Sequence, residues 1–254
     1  MKSKIHYAPD YLVNPPHMIT VNVIGAGGNG SQVVQGLARM NVTLRALGKP
    51  GLLVILYDDD KVSEANIGRQ LFSQHDVGRY KAEVLISRIN QFYGTSWCSR
   101  NNRYSKEQSS GSNITISCVD TAKSRLQISE VWNNKKLFQD WEKPYYWLDL
   151  GNSNKSGQVI LGSSHHAEQP KSKKYKTIKH LPTITEEFDL KNIEDDNEPS
   201  CSIAEAIEKQ DLFINPIVSY MGLNLLWKLL KEYSITHRGY YINLETGKTN
   251  SINL

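Results

Sequence analysis

Cysteine is scarce. Three thiols in 254 residues, Cys98, Cys118 and Cys201, are too few and too widely spaced for a disulfide framework, and no two form a C-x-x-C pair. An odd, scattered set points to a reducing compartment, the cytoplasm, and excludes an all-cysteine zinc knuckle. Also missing is any apolar run near the ~20 residues that a bilayer span requires, so no membrane association is expected. Lys2 and Lys4 open the chain, but no apolar stretch follows them before Pro15-Pro16, which excludes a secretory signal. A formal charge of +4 is too small to argue for direct nucleic-acid binding.

What the chain does have is a β-branched run ending in glycines: Ile19-Thr20-Val21-Asn22-Val23-Ile24-Gly25-Ala26-Gly27-Gly28-Asn29-Gly30. The run suits a strand buried on both faces of a parallel sheet. In the G-x-G-x-x-G that follows, Gly25 makes the tight turn, Gly27 leaves room for a phosphate, and Gly30 lets a helix lie close to the strand. Unpaired N–H groups at the start of that helix, near Asn29, would meet an anion. A phosphate-free α/β turn built on the same sterics is the alternative.

Hydrophobic content of 39% over 254 residues supports one substantial core. Val33, Val34, Leu37, Ala38, Met40, Val42, Leu44 and Leu47 trace a helical face ending near Gly48, and Leu52 to Tyr57 reads as a second buried strand stopping at Asp58-Asp59-Asp60. Carboxylates at a strand's carboxyl end can hold the ribose of a nucleotide, or simply face water in a turn. Residues 77–90 read as a helix and 99–113 as an exposed polar loop. Ile114 to Asp120 reads as a strand closing on an aspartate, with a helix resuming at Thr121. Strands follow at Tyr145 to Gly151 and Ser156 to Gly162. From Ser163 to Ser200 a lysine group gives way to an acidic one, with few large apolar residues, which predicts a long crossing loop or mobile flap. Ser202 and Glu205 fit a capping box, and a broadly apolar helix beginning at Asn215-Pro216 should be central or lie at a subunit interface. Residues 239–252 suggest a closing hairpin. Residues 1–13 are expected to dock on the core or on a partner.

The fold class expected is α/β: a Rossmann-like, mostly parallel sheet with helices on both faces, plus a C-terminal mixed or antiparallel extension. Residues 1–162 would form the nucleotide-binding region, 163–200 a flexible crossover, and 201–254 the helices and hairpin completing the same domain.

Asp58-Asp59-Asp60-Lys61-Val62-Ser63-Glu64-Ala65-Asn66-Ile67-Gly68-Arg69-Gln70 resembles the D-x-D-x-V-x-x-x-N-x-x-R-Q signature of the ThiF/MoeB and ubiquitin-activating superfamily. It stands in that family's order between the glycine turn and Val77-Gly78-Arg79-Tyr80-Lys81, with Asp120 after the next strand. The chain looks most like the ThiF-type member of the PRTRC gene cluster of bacterial plasmids. The resemblance implies adenylation, by Mg-ATP, of the C-terminal carboxylate of a small ubiquitin-fold protein. It places Gly25, Gly27, Gly28 and Gly30 at the phosphate turn, Asp58 on the ribose with Asp60 beside it, and Asn66, Arg69 and Lys81 on the phosphates. Asp120 would bind Mg2+. Around an attacked α-phosphate, two cations and a metal would stabilise charge that spreads in the transition state. Ordinary surface ion pairs for Arg69 and Lys81, and helix capping for Asp120, are the alternatives.

Cys201 sits after the charged segment and before a helix N-terminus, a position that favours a thiolate and therefore thioester transfer, though a buried inert thiol fits as well. Two features depart from the family. Its paired zinc cysteines are absent, so no structural zinc is expected, and residues 1–38 carry no arginine of the kind many relatives supply across a dimer. A homodimer built partly on the 217–230 helix is expected. A non-catalytic module of the same fold and an NAD-dependent dehydrogenase are competing readings, the latter without a recognisable hydride-transfer site.

Overall fold

A computed structural model describes residues 2–134, 140–193 and 210–254. Its centre is a sheet of eight strands in the order β11-β10-β7-β6-β5-β2-β3-β4. These are β2 (Ile19–Ile24), β3 (Leu52–Tyr57), β4 (Cys98–Arg100), β5 (Ile114–Ser117), β6 (Tyr146–Asn152), β7 (Ser156–Ser163), β10 (His237–Asn243) and β11 (Lys248–Asn253). The five strands from β4 to β6 run parallel, and β7, β10 and β11 extend the sheet antiparallel. The C-terminal hairpin is therefore the edge of the main sheet.

The parallel strands are the apolar runs, because helices cover both faces and leave no face to water. Val21, Val23, Val54, Leu56, Ile114 and Ile116 are almost wholly buried. Covering them are α2 (Gly28–Ala46), α3 (Lys81–Tyr93), α4 (Ala122–Trp132) and, numbered α6 here, the helix Ile214–Lys231. The broad apolar face of α6 is explained within one chain: it packs on α2 and also on β6 and β7, and Leu225, Leu226 and Leu229 have no exposed surface. Its exposed apolar groups are Tyr220 and, just before it, Phe213.

The chain runs outward from β2 to β3 and β4, then returns to lay β5 on the other side of β2. Such a reversal leaves a crevice at the strands' carboxyl ends.

Three sequence expectations need correction. Residues 99–113 are not simply an exposed loop: β4 pairs with β3, Tyr104 is buried, and Asn113 has no exposed surface. The Asn113 carboxamide accepts from the Thr20 N–H and donates to the Trp141 carbonyl, so polar side chains satisfy buried backbone there. Residues 163–193 are not a bare flap. They hold β8 (Lys176–Thr177) and the short helix α5 (Ile184–Glu187), and they bury Leu181, Ile184 and Leu190. Helix α3 starts at Lys81 rather than Val77, after Gly78 adopts φ +86°.

Residues 2–13 dock on the chain itself. Strand β1 (Lys4–Tyr7) lies between β8 and β9 (Ser234–Ile235) in a small second sheet, followed by the helical turn α1 (Asp10–Val13). The Lys4 ammonium donates to the Leu254 carbonyl, and His6, without exposed surface, bridges the Ile178 carbonyl and the Tyr146 hydroxyl. Burial lowers the His6 pKa to about 4, leaving it neutral near pH 7. Cys201 and the Ser202/Glu205 capping box lie outside the described residues.

Candidate functional site

The glycine corner follows β2 directly. Gly25 takes φ +94°, and a Cβ there would meet the Cys118 carbonyl oxygen at 2.6 Å, where the chain leaves β5. A Cβ on Gly30 would overlap the Gly25 carbonyl oxygen, and one on Gly28 would fall 2.5 Å from the Asn215 carboxamide of α6. These three glycines are therefore set by the protein's own packing. Gly27 differs: the nearest atom to a Cβ there is Gln70 Nε2, at 4.0 Å. Gly27 also caps α2 without a side chain, and the first turn of that helix carries no acid. Open space thus lies in front of unpaired N–H groups at the positive end of a 19-residue helix.

The three consecutive aspartates have separate roles. Asp58 accepts from the Ala26 N–H at 2.6 Å and from the Asp60 N–H at 2.9 Å, so it is part of the corner rather than a solvated turn. Burial pushes its carboxyl up to about 6, against the opposing pull of the nearby Lys81 ammonium and the two N–H groups. Asp59 faces solvent and pairs with Arg103 at 2.9 Å. Asp60 pairs with Lys81 at 2.8 Å. The Lys81 side chain is buried at the start of α3, so it is no loose surface cation.

Asn66 closes the turn Glu64–Asn66 by accepting from the backbone N–H and hydroxyl of Ser63. This fixes its carbonyl end and leaves its Nδ2 as the end that can donate elsewhere. Arg69 follows. Its Nη1 donates to Gln210 Oε1, and among the described residues its buried Nε has no hydrogen-bond partner. Burial lowers the Arg69 pKa, while the charge of Asp120 opposes that shift. The Gln70 carboxamide beside Gly27 likewise has a buried Oε1 without a partner. Asp120 is exposed, and it does not cap α4: Thr121 is the N-cap, its hydroxyl accepting from the Ser124 N–H at 3.1 Å. The structure thus links Asp58 and Lys81 to the Ala26 backbone, sets Gln70 beside Gly27, and places Arg69 within electrostatic reach of Asp120.

Sequence reasoning left Gln70 without a role, though it quoted the residue, and it missed Gln210, Asn215 and Arg125. The Arg125 Nε pairs with Asp149 at 2.9 Å, both side chains being buried, and the Ser117 hydroxyl donates to the same carboxylate oxygen at 2.5 Å. Burial raises the pKa of the adjacent Cys118 thiol, which suits a core residue. Arg125 and Asp120 line one end of a cleft of about 780 Å3 that passes Asn152 and Gln158 to Tyr241 and Asn250 on the hairpin, with Phe188 and Ile193 along one side. A separate cavity of about 440 Å3, at the opposite end of β6, is lined by Lys143, His165, His166, His180 and Glu186 among others.

These residues fit a nucleoside triphosphate: an open glycine, helix N–H donors, an unpartnered guanidinium edge and a buried ammonium. No group of three or more His, Cys, Asp or Glu is placed to hold a metal among the described residues. A single carboxylate suits Mg2+ when phosphate oxygens and water supply its other ligands. No described helix is long and apolar enough to cross a membrane.

Comparison with known proteins agrees with the architecture. Ubiquitin-like modifier-activating enzyme 5 of Xenopus laevis is 31% identical over 161 residues, which cover 56% of this chain and 36% of that protein. The Bombyx mori enzyme of the same name is 28% identical over 138 residues, covering 48% of this chain and 32% of its own. The matched part is thus about a third of these relatives' length. Escherichia coli MccB, in a crystal structure with ATP, superposes with a TM-score of 0.57 at 17% identity over 96% of this chain and 65% of that one. PaaA gives 0.58 at 14% over 92% and 64%. At such identities the likeness is one of fold. The ThiF family matches residues 17–252, nearly the whole sequence, and the chain belongs to that family.

Proposed function

We propose that this protein binds ATP at the glycine corner and adenylates the C-terminal carboxylate of a small ubiquitin-fold protein. The observation that carries the reading is the contrast within the corner: Gly25, Gly28 and Gly30 are hemmed in by protein atoms, whereas Gly27 opens onto space beside Gln70 and close to the start of α2. Gly25, Gly27, Gly28 and Gly30 shape the turn, Asp58 takes the ribose, Asp60 holds Lys81, and Asn66, Arg69 and Lys81 take the phosphates. Asp120 would hold Mg2+, which when bound supplies further positive charge at the phosphates.

In the reaction the partner's carboxylate oxygen forms a bond to the α-phosphorus as the bond to pyrophosphate breaks, giving an acyl adenylate and pyrophosphate. Arg69 and Lys81 oppose the repulsion between two anions, and the gain is largest where charge spreads. The cleft from Asp120 to the hairpin, lined by Asn152, Gln158 and Asn250 among others, would receive the partner's tail. Residues 1–162 carry the nucleotide site, 163–200 border the tail, and 201–254 complete the domain. Cys201 would attack the acyl adenylate as a thiolate and displace AMP, holding the tail as a thioester, and a homodimer would cover Phe213 and Tyr220. The closer likeness to the PRTRC member of the family belongs to the same reading, as does action in the cytoplasm.

The test is ATP–pyrophosphate exchange with candidate ubiquitin-fold proteins, comparing wild type with Arg69→Ala and Asp120→Ala. Exchange that depends on the partner and collapses in both variants supports the proposal. Exchange indifferent to both overturns the site. ATP binding without exchange would make the protein a non-catalytic module. A partner adduct abolished by thiol and by Cys201→Ala would establish transfer.

A further inference from the structure

Gln210 stands just ahead of α6. Its Oε1 accepts from Arg69 Nη1 and, at 3.0 Å, from Asn215 Nδ2. Asn215 is buried, with its carboxamide packed against the Cα of Gly28. One turn further along α6, the Ser219 hydroxyl donates to the Asn29 carbonyl at 3.2 Å. Gln210 and Asn215 therefore tie the start of α6 to the guanidinium of Arg69, and Asn215 and Ser219 hold α6 against the first turn of α2. The acceptor at that end is a neutral amide rather than a carboxylate. A carboxylate would neutralise the guanidinium and compete with an incoming anion. An amide fixes the side chain without adding a negative charge to that of nearby Asp120, and the Arg69 Nε keeps no partner among the described residues.

We infer that Gln210 is a positioning residue for the polyphosphate of the nucleotide: with Asn215 it aims the Arg69 guanidinium at the corner without cancelling its charge. This rests on the ATP reading above and deepens it, by making phosphate affinity depend on a residue 141 positions away in sequence.

Binding of ATP and of adenosine to the full chain, measured by calorimetry, tests the inference without the partner protein. Gln210→Met should weaken ATP about five-fold and leave adenosine unchanged, because the interaction it supports is with phosphate alone. Gln210→Glu should weaken ATP ten-fold or more, since the new carboxylate pairs with Arg69 and repels phosphate. In an Arg69→Ala background, Gln210→Met should cause no further loss, whereas a merely structural role would give additive losses. Gln210 is half-buried, and thermal melts of each variant check folding. If Arg69→Ala weakens ATP but Gln210→Met and Gln210→Glu do not, or if the losses add, the inference is overturned and the ATP site stands. If wild type binds no ATP, the ATP reading fails and this inference with it.

Discussion

Arg69 and Arg88 lie within twenty residues of each other, yet their surroundings are opposite in kind. The Arg88 Nη1 donates to the Leu71 carbonyl at 2.7 Å and its Nη2 to Asp76 at 2.8 Å. Asp76 is in turn closed by the backbone N–H and hydroxyl of Ser73, contacts that outweigh burial and hold its carboxyl below the usual range. Arg69 rests on a neutral amide and has a buried Nε without a hydrogen-bond partner among the described residues. The first arginine staples a turn to α3; the second keeps hydrogen-bonding capacity and charge in reserve. Gly30 and Gly27 repeat the contrast in the backbone, one closed by the chain's own atoms and the other open.

The sharpest way to break this comparison is at Gly30. Gly30→Ala forces a methyl into the Gly25 carbonyl and should cost about 3 kcal/mol or more, abolishing a cooperative melt at moderate temperature. Asp76→Ala removes the closed partner of Arg88 and should cost about 2 kcal/mol in denaturant unfolding. After correction for the folded fraction, its effect on ATP should be no larger than its effect on adenosine. Arg69→Ala should do the reverse, weakening ATP ten-fold or more with under about 1 kcal/mol lost in stability. Gly27→Ala should melt within about 1 kcal/mol of wild type, because no atom lies within 4.0 Å of the new methyl apart from Gln70, yet weaken ATP several-fold by filling the space left for phosphate. If Gly27→Ala unfolds as Gly30→Ala does, the distinction between open and closed positions is lost.

A further effect is expected on pH dependence. The Asp58 carboxyl is 3.8 in an unfolded chain and about 6 when buried here, so between those values the native state holds a proton the unfolded state has released. Stability therefore falls as pH rises through that window, with the cost fully present above it. Asp58→Asn should flatten that part of a melting-temperature profile taken against pH. An unchanged profile would mean Asp58 is better solvated than its contacts with Ala26 and Asp60 imply.

Much of the centre was legible in sequence because its rules are local. The apolar run at Ile19–Ile24 and the glycine spacing predict the strand and turn that form, and the closing hairpin follows from two short β-rich runs around Glu245-Thr246-Gly247. Asp120 illustrates a local rule with two outcomes: either it or Thr121 could cap the helix, and only coordinates choose Thr121. The rest depends on partners remote in sequence. Residues 99–113 look like an exposed loop because Asn113 and Ser112 are polar, and only the proximity of Thr20 and Trp141 makes Asn113 an interior group. Lys4–Tyr7 becomes a strand because Lys176–Thr177 and Ser234–Ile235 are there to pair with it. Gln210 has no local signature.

The seating of the Asn215 amide against Gly28 also orders events during biosynthesis. A ribosome extends the chain from its amino end, so the glycine turn emerges well before the residues that brace it. Nascent chains stalled before α6 should hold the six strands from β4 to β7, with an anion pocket that lacks one wall. ATP supplied to such chains would then gain its grip only once the last helix has cleared the exit tunnel.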